Sequence, residues 1–84
     1  MNELKEIIDE YAEELGWVNA EVFCIWVRWC WIDDFLRAFR DACGLEIFDV
    51  EGIKALVQDD YICIELQDTY IDVEELYPKD KYQH

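Results

Sequence analysis

The stretch VFCIWVRWCWI, residues 22–32, carries a single charge, Arg28, in a chain otherwise crowded with carboxylates, and the way it folds decides the architecture. Read outward from it, apolar residues recur at Val22, Ile25, Trp29, Ile32, Leu36, Phe39 and Cys43, in steps of three and four, until Gly44. That rhythm predicts one face of a helix, about 36 Å long at 1.5 Å per residue. Asn19 stands where an N-cap belongs, and Val18 before it is placed to pack on Phe23 as a hydrophobic staple. A rival reading makes residues 22–31 a buried strand, which their β-branched and aromatic content would suit. The helix is preferred because the three-four rhythm continues through DDFLRAFRDACG, where Asp33, Arg37 and Asp41 stand four apart as an outer ladder of ion pairs.

Upstream, Asn2 can cap a first helix in which Leu4, Ile7, Ile8, Tyr11 and Leu15 form one apolar stripe, with Gly16 ending it in the left-handed conformation. Its opposite face carries Glu3, Glu6, Asp9, Glu10, Glu13 and Glu14. Downstream the period changes to two. In YICIEL, residues 61–66, Ile62, Ile64 and Leu66 alternate with Tyr61, Cys63 and Glu65, which predicts a strand. Residues 52–58 fit either a preceding strand that turns at Asp59 and Asp60 or a short helix capped by Asp49, the strand being preferred. Asp72 and Glu75 have the spacing of a capping box for a last helical turn before Pro78, and residues 79–84 read as a frayed tail. The expected fold is α+β: two N-terminal helices packed on a small antiparallel β-sheet from the C-terminal half, in one domain spanning residues 1–78.

Composition narrows the function. At 84 residues the chain is 54% hydrophobic and 15% aromatic, too apolar for a disordered acidic tail. A domain of this size buries only about 60–65% of its unfolded surface, so its core is small. Seven Lys and Arg against 21 Asp and Glu leave a net charge of −14. Such a field repels nucleic acid and membrane surfaces and attracts basic proteins. The acidic, amphipathic N-terminal segment does not read as a secretory signal, and the opening stretch is too short to span a bilayer. The expected location is the cytoplasm, where the four cysteines, Cys24, Cys30, Cys43 and Cys63, would be reduced.

The residues for familiar chemistry are missing. There is no serine, and the one histidine is His84, so a Ser-His or Cys-His nucleophile has no imidazole held within the structure. Close carboxylate pairs carry no information among so many acids. The cysteines lack the two-to-four-residue spacing of zinc ligands, the segment DVEG lacks the alternating ligands of a calcium loop, and the three glycines are not clustered for phosphate. The expectation is a non-enzymatic protein without metal or cofactor.

Two features remain. The apolar stretch is overfilled for one buried face, so Trp17, Trp26 or Trp31 could form an aromatic interface, Trp being enriched at binding hot spots. The charge exceeds what solubility needs. An array of carboxylates imitates a phosphate backbone to a partner lined with Lys and Arg. In size and charge the chain is similar to phage and mobile-element counter-defence proteins of the anti-CRISPR and antirestriction kind. That likeness implies an inhibitor that blocks a basic nucleic-acid-binding surface, such as that of a host defence nuclease, without binding nucleic acid or membrane itself. The carboxylates expected to act are Glu6, Asp9, Glu10, Glu13 and Glu14 on the first helix and Asp59, Asp60, Asp68, Asp72, Glu74 and Glu75 around the turns of the sheet. The alternative is a small cytosolic interaction module or adaptor, in one version a homodimer, that uses the aromatic interface.

Overall fold

Four strands form one antiparallel sheet in the computed structural model, which describes residues 2–67 and 72–82, and of Asn2 only the backbone. Helix α1 (Asn2–Tyr11) leads directly into β1 (Ala12–Trp17), and β2 (Phe23–Arg28) returns beside it. A 3-10 turn, Trp29–Trp31, joins β2 to α2 (Ile32–Cys43). After a second 3-10 turn, Ile47–Asp49, come the strands β3 (Ile53–Gln58) and β4 (Tyr61–Leu66), followed by the one-turn helices α3 (Val73–Leu76) and α4 (Lys79–Tyr82). The strand order is β1-β2-β4-β3, so β2 and β4 are central and β1 and β3 are edges. The chain is therefore α+β, but its sheet does not come from the C-terminal half alone.

The opening stretch is the main correction. Residues 23–28 are a central strand, paired with β1 on one side and β4 on the other, and the continuous second helix expected from Asn19 to Cys43 is cut to its last twelve residues. A segment apolar at nearly every position satisfies a period of 3.6 and a period of 2 alike, so periodicity could not separate the two. Tertiary pairing does. Phe23, Ile25 and Val27 pair with Leu66, Ile64 and Ile62 on one face of the sheet, and all six are buried. Asn19 caps no helix; its Oδ1 accepts from the Glu21 and Val22 amides at 2.8 and 3.1 Å and shapes the β1–β2 connection. Val18 is exposed and closes that connection with its amide on the Val22 carbonyl, instead of stapling a helix.

The first helix is also shorter than expected. It stops at Tyr11, and Ala12, Glu13, Glu14 and Leu15 pass into β1, although glutamates are good helix formers. Backbone pairing with β2 outweighs that weak preference, and a bulge between Ala12 and Glu14 takes up the change of register. Gly16 lies inside the strand and is not a left-handed cap. Gly44 is one: at φ 77 it ends α2, its amide bonded to the Arg40 carbonyl at 2.7 Å. On α2, Ile32, Phe35 and Phe39 are buried, and Arg37 lies 3.8 Å from Asp34 in place of the expected ladder.

The preferred strand reading of residues 52–58 holds, with Asp59 at φ 50 turning the β3–β4 hairpin. Asp72 caps α3 by accepting from the Glu75 amide at 3.1 Å. Where a frayed tail is expected, Lys79–Tyr82 is helical, and Tyr82 meets the Tyr77 ring edge-on at 5.1 Å. Residues 83 and 84, and with them His84, lie outside the described residues.

Alternation along the strands assigns the two faces. One face joins Leu4 and Ile8 of α1, Phe35 and Phe39 of α2, and Val73 and Tyr77 in a single core with Phe23, Ile25, Val27, Ile62, Ile64 and Leu66. The other carries Cys24, Trp26 and Arg28 beside Tyr61, Cys63 and Glu65, then Lys54, Leu56 and Gln58. Among the described residues no helix is long and apolar enough to cross a membrane.

Candidate functional site

Two acids of the N-terminal segment, Asp9 and Glu13, are each held by a tyrosine hydroxyl from the second half of the chain. At the first, Tyr77 Oη donates to Asp9 Oδ1 at 2.7 Å, and Lys5 Nζ holds the other oxygen of Asp9 at 2.8 Å. Tyr77 is buried, its ring stacked on Phe23 at 4.8 Å, and its backbone carbonyl accepts from Trp17 Nε1 at 2.6 Å. Burial, then the Asp9 carboxylate, pushes the Tyr77 hydroxyl far above its ordinary pKa, so it stays a donor. This clasp sets α1, with Glu6 and Glu10 exposed, beside the segment that bears Glu74 and Glu75.

At the second, Glu13 sits in the β1 bulge and divides its carboxylate. Oε1 accepts from Arg28 Nε at 2.7 Å, and Oε2 accepts from Tyr61 Oη at 2.5 Å. The Tyr61 hydrogen bond, then that of Arg28, holds Glu13 below the usual carboxylate range. Hydrogen bonding to Glu13 raises Tyr61 and Arg28. Tyr61 follows the hairpin turn at once, so Asp59 and Asp60 stand at the same end of the sheet, and the Asp60 carbonyl accepts the Trp29 amide at 2.6 Å.

The expected acids therefore divide. Glu6, Glu10, Glu14, Asp59, Asp60 and Glu75 are exposed and have no ion-pair partner among the described residues. Asp9 and Glu13 are occupied in the two clasps, Asp72 is a helix cap, and Glu74 lies 3.7 Å from Lys79. Asp68 lies outside the described residues. The expectation that positions 6, 10, 13 and 14 share one helix face fails, because Glu13 and Glu14 belong to β1.

The aromatic candidates divide as well. Trp17 is buried at 5% exposure, bonded to Tyr77 and with Lys79 Nζ 4.9 Å from its ring, so it offers no interface. Trp26 is half-buried on the face of the sheet opposite the core. Trp31 is 51% exposed, and Trp29, expected in the core, is 54% exposed beside it. Trp29 was missed because the helical reading put it on the buried stripe; a strand ending at Arg28 puts it in the connection. Exposed tryptophans thus adjoin the Asp59–Asp60 turn at one corner of the molecule.

The four cysteines form no disulfide. Cys24 and Cys63 are buried together, and burial followed by the neighbouring Cys63 pushes the Cys24 thiol up to about 12. Among the described residues no three His, Cys, Asp or Glu side chains converge as metal ligands. A depression of about 280 Å³ on α2 is lined by Asp33, Leu36, Arg37, Arg40 and Glu46, with Arg40 Nη1 3.4 Å from Glu46 Oε1, so its charges balance internally. The chain matches no protein-family model, no curated protein and no solved structure.

Proposed function

We propose that this chain is a non-enzymatic acidic inhibitor that occupies a basic nucleic-acid-binding surface in place of DNA or RNA, in the manner of phage or mobile-element counter-defence proteins acting in the cytoplasm. The observation that supports it most is the distribution of charge. Five of the seven cations are each within 4 Å of a carboxylate. Glu6, Glu10, Glu14, Asp59, Asp60 and Glu75, on regular elements and a tight turn, have no ion-pair partner among the described residues. Fixed carboxylates meet a Lys- and Arg-lined groove without the ordering cost that a flexible acidic tail incurs. Repulsion among them destabilises the compact state, and a partner with the opposite charge relieves it.

The adaptor reading has its own support in Trp29 and Trp31, whose exposure gives a partner two large anchors. The two readings differ in their response to salt. The partner is captured from host lysate at low salt, identified, and titrated with the protein from 50 to 500 mM salt, alone and in competition with its nucleic acid. Inhibition by mimicry requires competition, strong weakening with salt, and slowed association when Glu6, Glu10 and Glu14 are changed to Lys. A response flat in salt, with the loss concentrated in Trp29→Ala or Trp31→Ala, refutes mimicry and supports the adaptor.

A further inference from the structure

We propose that β3 is the seat of a symmetric dimer, in which the β3 strands of two copies pair antiparallel into a continuous eight-stranded sheet. This inference does not rest on the inhibitor reading. Five observations lead to it.

The first is that β3 is an edge strand with little of the usual protection. Natural edges are blunted by prolines, bulges, a covering element or charged side chains, lysine above all, and of these β3 carries only Lys54. The sequence IKALVQ has no proline, the β3–β4 register runs unbroken from Ile53 to Gln58, and residues 54–58 are all exposed. Leu56 and Val57, one on each face, are 52% and 68% exposed. The other edge, β1, does carry a bulge.

The second is the direction of the backbone groups. The Gln67 amide donates to the Gly52 carbonyl at 3.0 Å, which makes Gly52 and Gln67 a hydrogen-bonded pair. In an antiparallel ladder such pairs alternate with open ones. Continuing the register makes Lys54, Leu56 and Gln58 the residues that bond to β4. Ala55 and Val57 therefore turn both N–H and C=O outward. The Ile53 amide fits the same parity, since it turns away from β4 to the Val50 carbonyl at 3.3 Å.

The third is register. Two copies related by a two-fold axis normal to the sheet must pair residues of the same face. The outward groups of Ala55 and Val57 are all used when Ala55 of one copy pairs with Val57 of the other, which places the axis between the two Leu56 residues. Four backbone hydrogen bonds result, and the Leu56 side chains face each other as the central pair.

The fourth is charge. Lys54 is the only cation between Arg40 and Lys79 in the chain, and it has no ion-pair partner among the described residues. In this register it stands opposite Gln58 of the second copy, on the same face, beside the turn that carries Asp59 and Asp60 of that copy. The six residues of β3 contain no acid. Of the two edge strands β3 is the one without a carboxylate, since β1 carries Glu13 and Glu14, so two chains of net charge −14 meet there with fewer like charges on the paired strands.

The fifth is size. A six-residue ladder is about 20 Å long and covers less than the roughly 800 Å² per partner of a standard interface. The dimer is therefore weak and concentration-dependent, and raising salt strengthens it by screening the repulsion between the two acidic bodies. That sign is opposite to the salt response of binding a basic partner.

The test is sedimentation of the full chain from 10 μM to 1 mM at 50 and 500 mM NaCl, with Leu56→Glu as the interface variant. Leu56 is exposed, so the variant keeps the monomer fold, which circular dichroism checks. The dimer should grow with concentration and with salt, and Leu56→Glu should raise its Kd at least tenfold. Register is read separately by Leu56→Cys in a Cys30→Ser background. The facing Leu56 positions form an open pair with Cα atoms about 4.5 Å apart, inside the range a disulfide spans. Mild oxidation should give a 56–56 crosslink by peptide mapping, and Gln58→Cys should give none. A chain that stays monomeric at 1 mM and high salt overturns the proposal. So does a dimer that ignores Leu56→Glu, or a variant at position 58 that crosslinks as well as one at position 56.

Discussion

Removing the Tyr77 hydroxyl should cost about 1 kcal/mol, and removing its ring several times more. Tyr77 is fully buried, and three kinds of interaction converge on it: the Asp9 hydrogen bond, the stacked Phe23 ring at 4.8 Å, and the Tyr82 ring edge-on at 5.1 Å. A hydrogen bond to a charged acceptor contributes about 1.5–3 kcal/mol, but Asp9 is 43% exposed and water replaces part of the loss. About 1 kcal/mol remains for Tyr77→Phe, which lowers the melting temperature of a domain this size by about 4–8 °C. Tyr77→Ala also loses both ring contacts and leaves a cavity, a change that costs about 3–5 kcal/mol. Against a total of about 4–13 kcal/mol for 84 residues, that is a large share.

The assay is urea unfolding of wild type, Tyr77→Phe, Asp9→Ala and the double variant. The coupling between the two sites should be about 1 kcal/mol, because the cycle cancels the separate loss of the Lys5 pair. An alkaline series adds a second reading. The folded pKa of Tyr77 is raised above its ordinary value of 10, so its contribution is full below pH 10 and is lost as pH rises toward the folded value. Wild type should thus lose stability above pH 10 more steeply than Tyr77→Phe. Zero coupling with Asp9, or identical alkaline slopes, would refute the clasp between α1 and the C-terminal helices.

The second clasp should show in acid: Glu13 is held below the ordinary range, so its contribution is present above the unfolded glutamate pKa and lost as pH falls through the folded value. The stability gap between wild type and Glu13→Gln, measured by thermal unfolding, should therefore close as pH falls below about 4. Phe35→Ala, which empties a fully buried core position, should cost about 3–5 kcal/mol, while Trp29→Ala and Trp31→Ala at exposed positions should each change stability by less than about 0.5 kcal/mol, all read by chemical denaturation. Exposed Cys30 should alkylate within minutes at neutral pH, and Cys24, buried and with its thiol pushed up to about 12, should stay unmodified until the chain unfolds, as peptide mass mapping would show.

The sequence alone determined whatever depends on near neighbours in the chain. The alternation of YICIEL made β4 a strand, because a half-buried sheet needs a period of two. Gly44 ended α2 and Asp72 capped α3, because left-handed backbone and orphan amides select those residue types locally. The excess of carboxylates was legible by counting. Tertiary structure decided the rest, wherever the local signal was degenerate. Residues 23–28 are apolar at almost every position and became a strand only because β1 and β4 lie on either side to satisfy their backbone. Glu13 and Glu14 favour helix, yet pairing with β2 took them into an edge strand, where a bulge aims Glu13 at Arg28 and Tyr61, fifteen and forty-eight residues away. The same pairing ended β2 at Arg28 and so put Trp29 and Trp31 on the surface, while Trp17, at the far end of β1, was sealed under Tyr77. The clasps on Asp9 and Glu13 depend on tyrosines sixty-eight and forty-eight residues away in the chain, and only the closed fold brings them together.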